Sequence, residues 1–300
     1  MEFYNILQNL IGGASVGITY GMVGLGVVFL WQSINRINFA NISSAMLSAY
    51  LFYTFYTQAK LGFVFSLIFS LVLVAIYGIC LRFLIYEPIS RRGGAKLEFV
   101  VATLMICVLW LNVIIVFYGG LPKPFPHIFG EATDFVRVGK FSLPSVYLYI
   151  FLVVSILVFI IHLLLRKSFI GKALRATAQN KDVAQLMGIN VDLTTNLSFI
   201  LSTTFVGIAG ILLAPIYFVS LELGGGGIGI KGFSAAVVGG LIDPYGTILG
   251  GLLIGIIENF STFFISSTYK DVISFFILVI VLLWKPNGIF NWTTRQETLL

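Results

Sequence analysis

"LEFVVATLMICVLWLNVIIVFY", residues 97–118, carries one charged side chain, Glu98, near its start. A helix needs about 20 mostly apolar residues to cross the hydrocarbon core of a bilayer, and this stretch meets that length. The same reading extends outward along the chain. Apolar segments lie at about 9–31, 41–58, 62–86, 144–165, 193–219, 226–242, 246–265 and 271–285. The segment 41–58 is short. The segment 226–242 is glycine-rich, contains Lys231, and reads as either spanning or re-entrant. The expected fold is all-α: a polytopic membrane helical bundle of eight or nine segments. It forms a single transmembrane domain over residues 1–300, with a polar loop at 166–192.

Composition agrees. The 300 residues are 58% hydrophobic, 15% aromatic and only 10% charged, whereas soluble domains carry roughly 25% charged residues. There is too little charge to cover a surface in water. The N-terminal "MEFYNILQNL" has neither a basic leader nor a small-residue cleavage site, so the first apolar segment is expected to stay as a span. Net charge is +6. Excess basic charge suits short loops on the cytoplasmic side of a membrane better than nucleic acid. With nine crossings and the N-terminus outside, twelve of the 18 basic residues fall inside. The densest loops hold Arg82, Arg91, Arg92 and Lys96, then Arg166, Lys167, Lys172, Arg175 and Lys181; Lys285 and Arg295 follow near a cytoplasmic C-terminus. The outer loop at 119–143 contains "LPKPFPH", ending at His127, and also Arg137 and Lys140. Its alternate prolines favour extended backbone, suited to an external partner or to a rigid connector.

Two helices should be central. Gly13, Gly17 and Gly21 recur at four-residue spacing, and Gly246, Gly250, Gly251 and Gly255 give two further small-residue pairs. Small residues let helix backbones approach closely in lipid, where packing rather than hydrophobicity drives association.

Catalytic constellations are missing from the sequence. His127 and His162 stand far apart, with no metal-ligand spacing. Cys80 and Cys107 lie in apolar runs and read as small buried hydrophobes. There is no nucleophile elbow and no phosphate-binding loop with its lysine. "GIGIKG", Gly227–Gly232, matches a dinucleotide fingerprint only by letters, because it lies between membrane segments. No catalytic residue, metal or cofactor is expected.

Charged and polar residues at membrane depth are functional candidates by default. Lys231 and Glu258 would both lie in the outer half and could pair, either to hold the bundle or to line a path. Asn35, Asn38 and Asn41 in "NRINFAN" share one side if helical. They read as caps of a broken helix or as path-lining groups.

The loop "KALRATAQNKDVAQLMGINVDLTTN", residues 172–196, is polar, basic and alanine-rich. Asn180 can cap a short helix, Asp182 suits its positive end, and Gly188 can stop it. Val183, Ala184, Leu186 and Met187 form a small apolar face. A helix this short is not stable alone, so it should lean on the bundle or on a partner. An amphipathic loop at the bilayer surface is the plainer alternative.

The A-x-x-x-G-I-N pattern at Ala184–Asn190 resembles the coupling loop of ABC importer permeases. "LRATAQNKDVAQLMGINVDLTTNLSFILSTTFVGIAGILLAP", residues 174–215, resembles the corresponding region of branched-chain amino-acid permeases, the LivH/LivM family. "INFAN" at 37–41 is similar to the LivH side, whose usual pattern is I-N-F-A-H-G, and "GGLIDPYGTILGGLLIGIIEN" at 239–259 resembles the family's glycine-rich segment ending in a glutamate. The likeness covers essentially the whole chain.

It implies a LivH-like permease subunit in a bacterial inner membrane. The implied partners are cytoplasmic ABC ATPase subunits, a LivM-like second permease chain and an extracytoplasmic substrate-binding protein. The ATPases would dock on Asn180, Asp182, Val183, Ala184, Met187 and Gly188. The chain departs from the family where Asn41-Ile42 replaces His-Gly and where Ser43 and Ser44 stand in place of an acidic residue, so substrate choice there is open. A self-contained ion-coupled carrier using Glu258 is the competing expectation.

Overall fold

The computed structural model describes residues 2–126, 135–138, 141–285 and 287–290. His127, Lys140 and Arg295 lie outside these. The described helices are α1 (Glu2–Ile34), α2 (Ser43–Tyr53), α3 (Phe63–Leu81), α4 (Glu87–Arg91), α5 (Lys96–Tyr118), α6 (Ser145–Lys167), α7 (Phe169–Gln179), α8 (Lys181–Leu186), α9 (Val191–Tyr217), α10 (Glu222–Gly225), α11 (Ile228–Gly239), α12 (Pro244–Phe264) and α13 (Lys270–Trp284). A short antiparallel pair, β1 (Phe135–Val138) with β2 (Phe141–Pro144), precedes α6. The fold is a helical membrane bundle.

All nine apolar segments contain helix, and among the described residues seven helices are long and apolar enough to cross a bilayer. The other two are α2 and α11. At 1.5 Å per residue, the 12 residues of α11 extend only about 18 Å, short of a roughly 30 Å core. The 11 residues of α2 gain a π-helical extension of five, Thr54–Gln58.

The Gly-rich segment is a broken crossing, not a hairpin. Val219 and Lys123 exchange two backbone hydrogen bonds of 2.9 Å, just beyond the C-terminal end of α5. At the far end, Gln32 Nε2, near the end of α1, donates to the Ile242 carbonyl at 2.5 Å. That end also holds the start of α5, because Arg36 Nη2 donates to the Gly94 carbonyl at 3.1 Å. Residues 219–242 therefore run from one end of the bundle to the other, interrupted by the Gly224–Gly227 run. Such irregular backbone is tolerated at membrane depth when protein covers it.

The centre is α1, whose apolar window is 94% buried. Its glycine ladder meets the ladder of α12, so the two stripes read separately in the sequence form one seam. A Cβ added at Gly13 would stand 2.9 Å from the Gly255 carbonyl oxygen, and one at Gly17 would stand 2.7 Å from that of Gly251. On its other side α12 meets α11, where a Cβ at Gly250 would stand 2.5 Å from the Ala235 oxygen and Gly246 abuts Gly239. Helices α3, α5, α6 and α13 form the rim and keep most of their apolar surface outward. Cys80 is exposed on this rim rather than buried.

Candidate functional site

Two regions carry the polar chemistry. The first lies at the end of the bundle where Arg36, Arg82 and the Arg91–Lys96 loop gather, here termed the basic end. Ser168 Oγ accepts from Gly171 N at 2.9 Å and starts α7. Asn180 then ends α7 and caps α8, its Oδ1 accepting from Asp182 N at 3.0 Å and Val183 N at 3.1 Å. Asp182 sits in the first turn, where the helix dipole favours an anion. Gly188 adopts φ +81°, a left-handed stop that costs a glycine little. Ile189 N then donates back to the Ala184 carbonyl at 3.0 Å.

The apolar residues at α8 are not equally covered. Ala184 is buried, only 3% exposed, and turns toward the bundle. Val183, Leu186 and Met187 turn outward, with Leu186 87% exposed. The residue that seats α8 and the apolar residues it presents outward are therefore different. An open groove of about 460 Å³ beside them is lined by Gln185, Gly188, Ile189, Asn190, Val191 and Asp192. Where α7 meets α9, the hydroxyls of Thr177 and Thr194 lie 3.2 Å apart.

The second region is a charged node inside the bundle, toward the opposite end. Lys231 Nζ lies 2.7 Å from Glu258 Oε1 and 2.7 Å from Asp271 Oδ1. The lysine and glutamate side chains are 2% and 7% exposed, the aspartate 49%. Lys231 also sits 5.6 Å from the ring centre of Tyr20, whose hydroxyl is 2.9 Å from that of Tyr217. The node thus joins α1, α9, α11, α12 and α13. Burying Lys231 against one carboxylate, with a second at its open side, compensates charges that lipid cannot solvate.

Asp271, Tyr20 and Tyr217 were not singled out in the sequence. Asp271 stands at the edge of its apolar run, where a charge normally signals a loop. The tyrosines resemble ordinary core aromatics until Lys231 is placed beside them.

The three asparagines separate. Helix α1 ends at Ile34, and Asn35, at φ +49°, points out of the bundle. Helical spacing does not carry across that break, so Asn35 shares no face with the others. Asn38 caps a single 3₁₀ turn, accepting from Asn41 N at 3.3 Å. Asn41 is fully buried, and its side-chain amide has no hydrogen-bond partner among the described residues. Ser43 and Ser44 bond to the carbonyls of Ala40 and Asn41 at 2.6 and 2.5 Å.

Comparison with known proteins adds a family. The profile described as "Branched-chain amino acid transport system / permease component" matches residues 9–282. The permease protein BraD of a high-affinity branched-chain amino acid transport system in Pseudomonas aeruginosa is 29% identical, with 97% of both chains covered. LivH of Escherichia coli K12 is 28% identical, again over 97% of each. A Methanocaldococcus jannaschii protein described as "Probable branched-chain amino acid transport permease protein LivH" is 32% identical, over 93% of this chain and 91% of its own. Among solved structures, "PsaBC from Streptococcus pneumoniae in complex with Fab" aligns with a TM-score of 0.52 at 15% identity, over 97% of this chain and 94% of that one. At that identity the likeness concerns the fold alone.

Proposed function

The chain belongs to the branched-chain amino acid transport permease family, and from that premise we propose how its parts serve import. It is a multi-pass inner-membrane permease component of an ABC importer, a transport subunit rather than an enzyme; hydrolysis of ATP belongs to separate subunits. Its cargo is assigned to branched-chain or related amino acids, handed over by an extracytoplasmic binding protein. The second permease chain is LivM-like, and the whole of residues 1–300 acts as one membrane domain. The basic end faces the cytoplasm, with the N-terminus outside and the C-terminus inside, because lysine and arginine are retained on that side.

The observation that carries this reading is α8. It is six residues long, capped at both ends, seated through Ala184, and turns Leu186 and Met187 to the outside at the basic end. A small capped helix fixed to the bundle can pass a rigid-body displacement to the spans. Asn180, Asp182 and Gly188 hold its shape; Val183, Leu186 and Met187 supply its contact with an ATPase. The substrate route is assigned beside the charged node and Asn38–Asn41, with Asn35 at its cytoplasmic mouth, since polar groups at membrane depth face packed protein or a wet path.

Leu186→Asp tests the docking role. The variant should insert in the membrane as wild type does, yet fail to co-purify the ATPase and lose ATP-driven uptake. Normal coupled uptake by that variant would overturn the role of α8. Gradient-driven uptake by this chain alone in vesicles would overturn the ABC reading itself.

A further inference from the structure

The spans leave one buried arginine without an assigned part. Arg82 follows the last residue of α3 and opens a π-helical turn, Arg82–Tyr86. Such turns carry an extra residue and recur at functional positions. Its side chain is 5% exposed, yet its guanidinium reaches a residue that is 89% exposed: Nη2 donates to Asp192 Oδ1 at 2.6 Å. Asp192 lies in the first turn of α9, the helix that α8 leads into.

The corner between α8 and α9 has no slack. Ile189 N bonds to the Ala184 carbonyl at 3.0 Å, Asn190 Oδ1 accepts from Leu193 N at 3.0 Å, and Thr194 N bonds to the Asn190 carbonyl at 3.1 Å. Any displacement of α8 therefore reaches Asp192. Beyond the ion pair, α3 and α9 are already close. A Cβ at Gly78 would stand 2.5 Å from Thr203 Oγ1 and 2.8 Å from the Phe199 oxygen, and the Tyr86 ring lies 5.8 Å from that of Phe199.

We infer that Arg82 is a positioning residue for energy coupling: through Asp192 it transmits the movement of α8 to α3, so that α3 and α9 swing as one body at the cytoplasmic end. This rests on the docking role of α8 proposed above. An arginine that merely filled space at the membrane boundary could direct its head to water. This one is held inward, and its strongest partner is the residue next to the coupling corner.

The experiment uses the assembled transporter in vesicles and reads three quantities: co-purified ATPase, ATP hydrolysed, and substrate moved per ATP. Arg82→Gln and Asp192→Asn should keep the first two near wild type. Each should lower substrate moved per ATP by about tenfold, and the double variant should lower it no further, because one link is lost either way. Unchanged transport per ATP in both single variants would overturn the inference. So would losses that multiply in the double variant, or loss of the ATPase itself, which would make Arg82 a support for docking. If Arg82→Gln fails to insert, Arg82→Lys paired with Asp192→Asn decides, since Asp192 is solvent-exposed. Failure of the underlying docking role shows separately, as an ATPase retained by Leu186→Asp.

Discussion

Helices α1 and α5 are both long enough to cross a bilayer, yet the apolar window of one is 94% buried and that of the other 17%. The more apolar helix is the one outside. Residues 97–118 present Leu97, Val101, Met105, Val108, Leu109 and Val116 outward, where lipid tails are as good a solvent for them as protein. Helix α1 instead brings Gly13, Gly17 and Gly21 to the seam with α12, and it buries Ser15 and Thr19 within its own turns, their hydroxyls bonding to the Ile11 and Ser15 carbonyls at 2.8 and 2.9 Å. In water the order would be reversed. In a membrane the centre is marked by small and polar residues, because close backbone approach and hydrogen bonding hold helices together there.

The contrast can be broken most severely at the charged node. Lys231→Met leaves Glu258 buried without its counter-ion, and losing one partner of a buried pair costs about 3–5 kcal/mol. The folded fraction in detergent should fall sharply, with much of it recovered in Lys231→Met/Glu258→Met. If the single variant is as stable as wild type, the node does not hold the centre together. Next comes the seam. Gly17→Leu drives a side chain against the Gly251 carbonyl, and overpacking of this kind costs roughly 1–3 kcal/mol or more. A lowered unfolding midpoint is expected, and an unchanged one would mean that α1 and α12 do not meet as described. The smallest effect is expected on the rim: Met105→Ala or Val108→Ala on α5 should stay within about 0.5 kcal/mol by the same measurement. A larger loss there would indicate that this face of α5 is covered by another chain rather than by lipid.

Much of the layout was legible in the residues. All nine apolar segments are helical within a few residues, because length and apolarity are local properties of the chain. The cap at Asn180 and the stop at Gly188 were equally readable, since each acts within four residues. Other features stayed open in the residues, for physical reasons. Val183, Ala184, Leu186 and Met187 spread over an arc of about 160° at 3.6 residues per turn, so periodicity could not choose which edge of that arc faces inward. The three-residue spacing of Asn35, Asn38 and Asn41 implied a shared face only if helix continued, and it stops at Ile34. Hydrophobicity could not distinguish a full span from the half-length α11, whose glycines end it early.

The chain's letters alone established a lipid-embedded helical bundle, its basic loops and two glycine stripes, since each of these follows from residues adjacent in sequence. That the two stripes are the halves of one seam, that Lys231 meets Asp271 as well as Glu258, and that Arg82 reaches Asp192 were decided only by folding. Those pairs are separated by tens to hundreds of residues, and nothing in a local pattern states which buried surface will be opposite which.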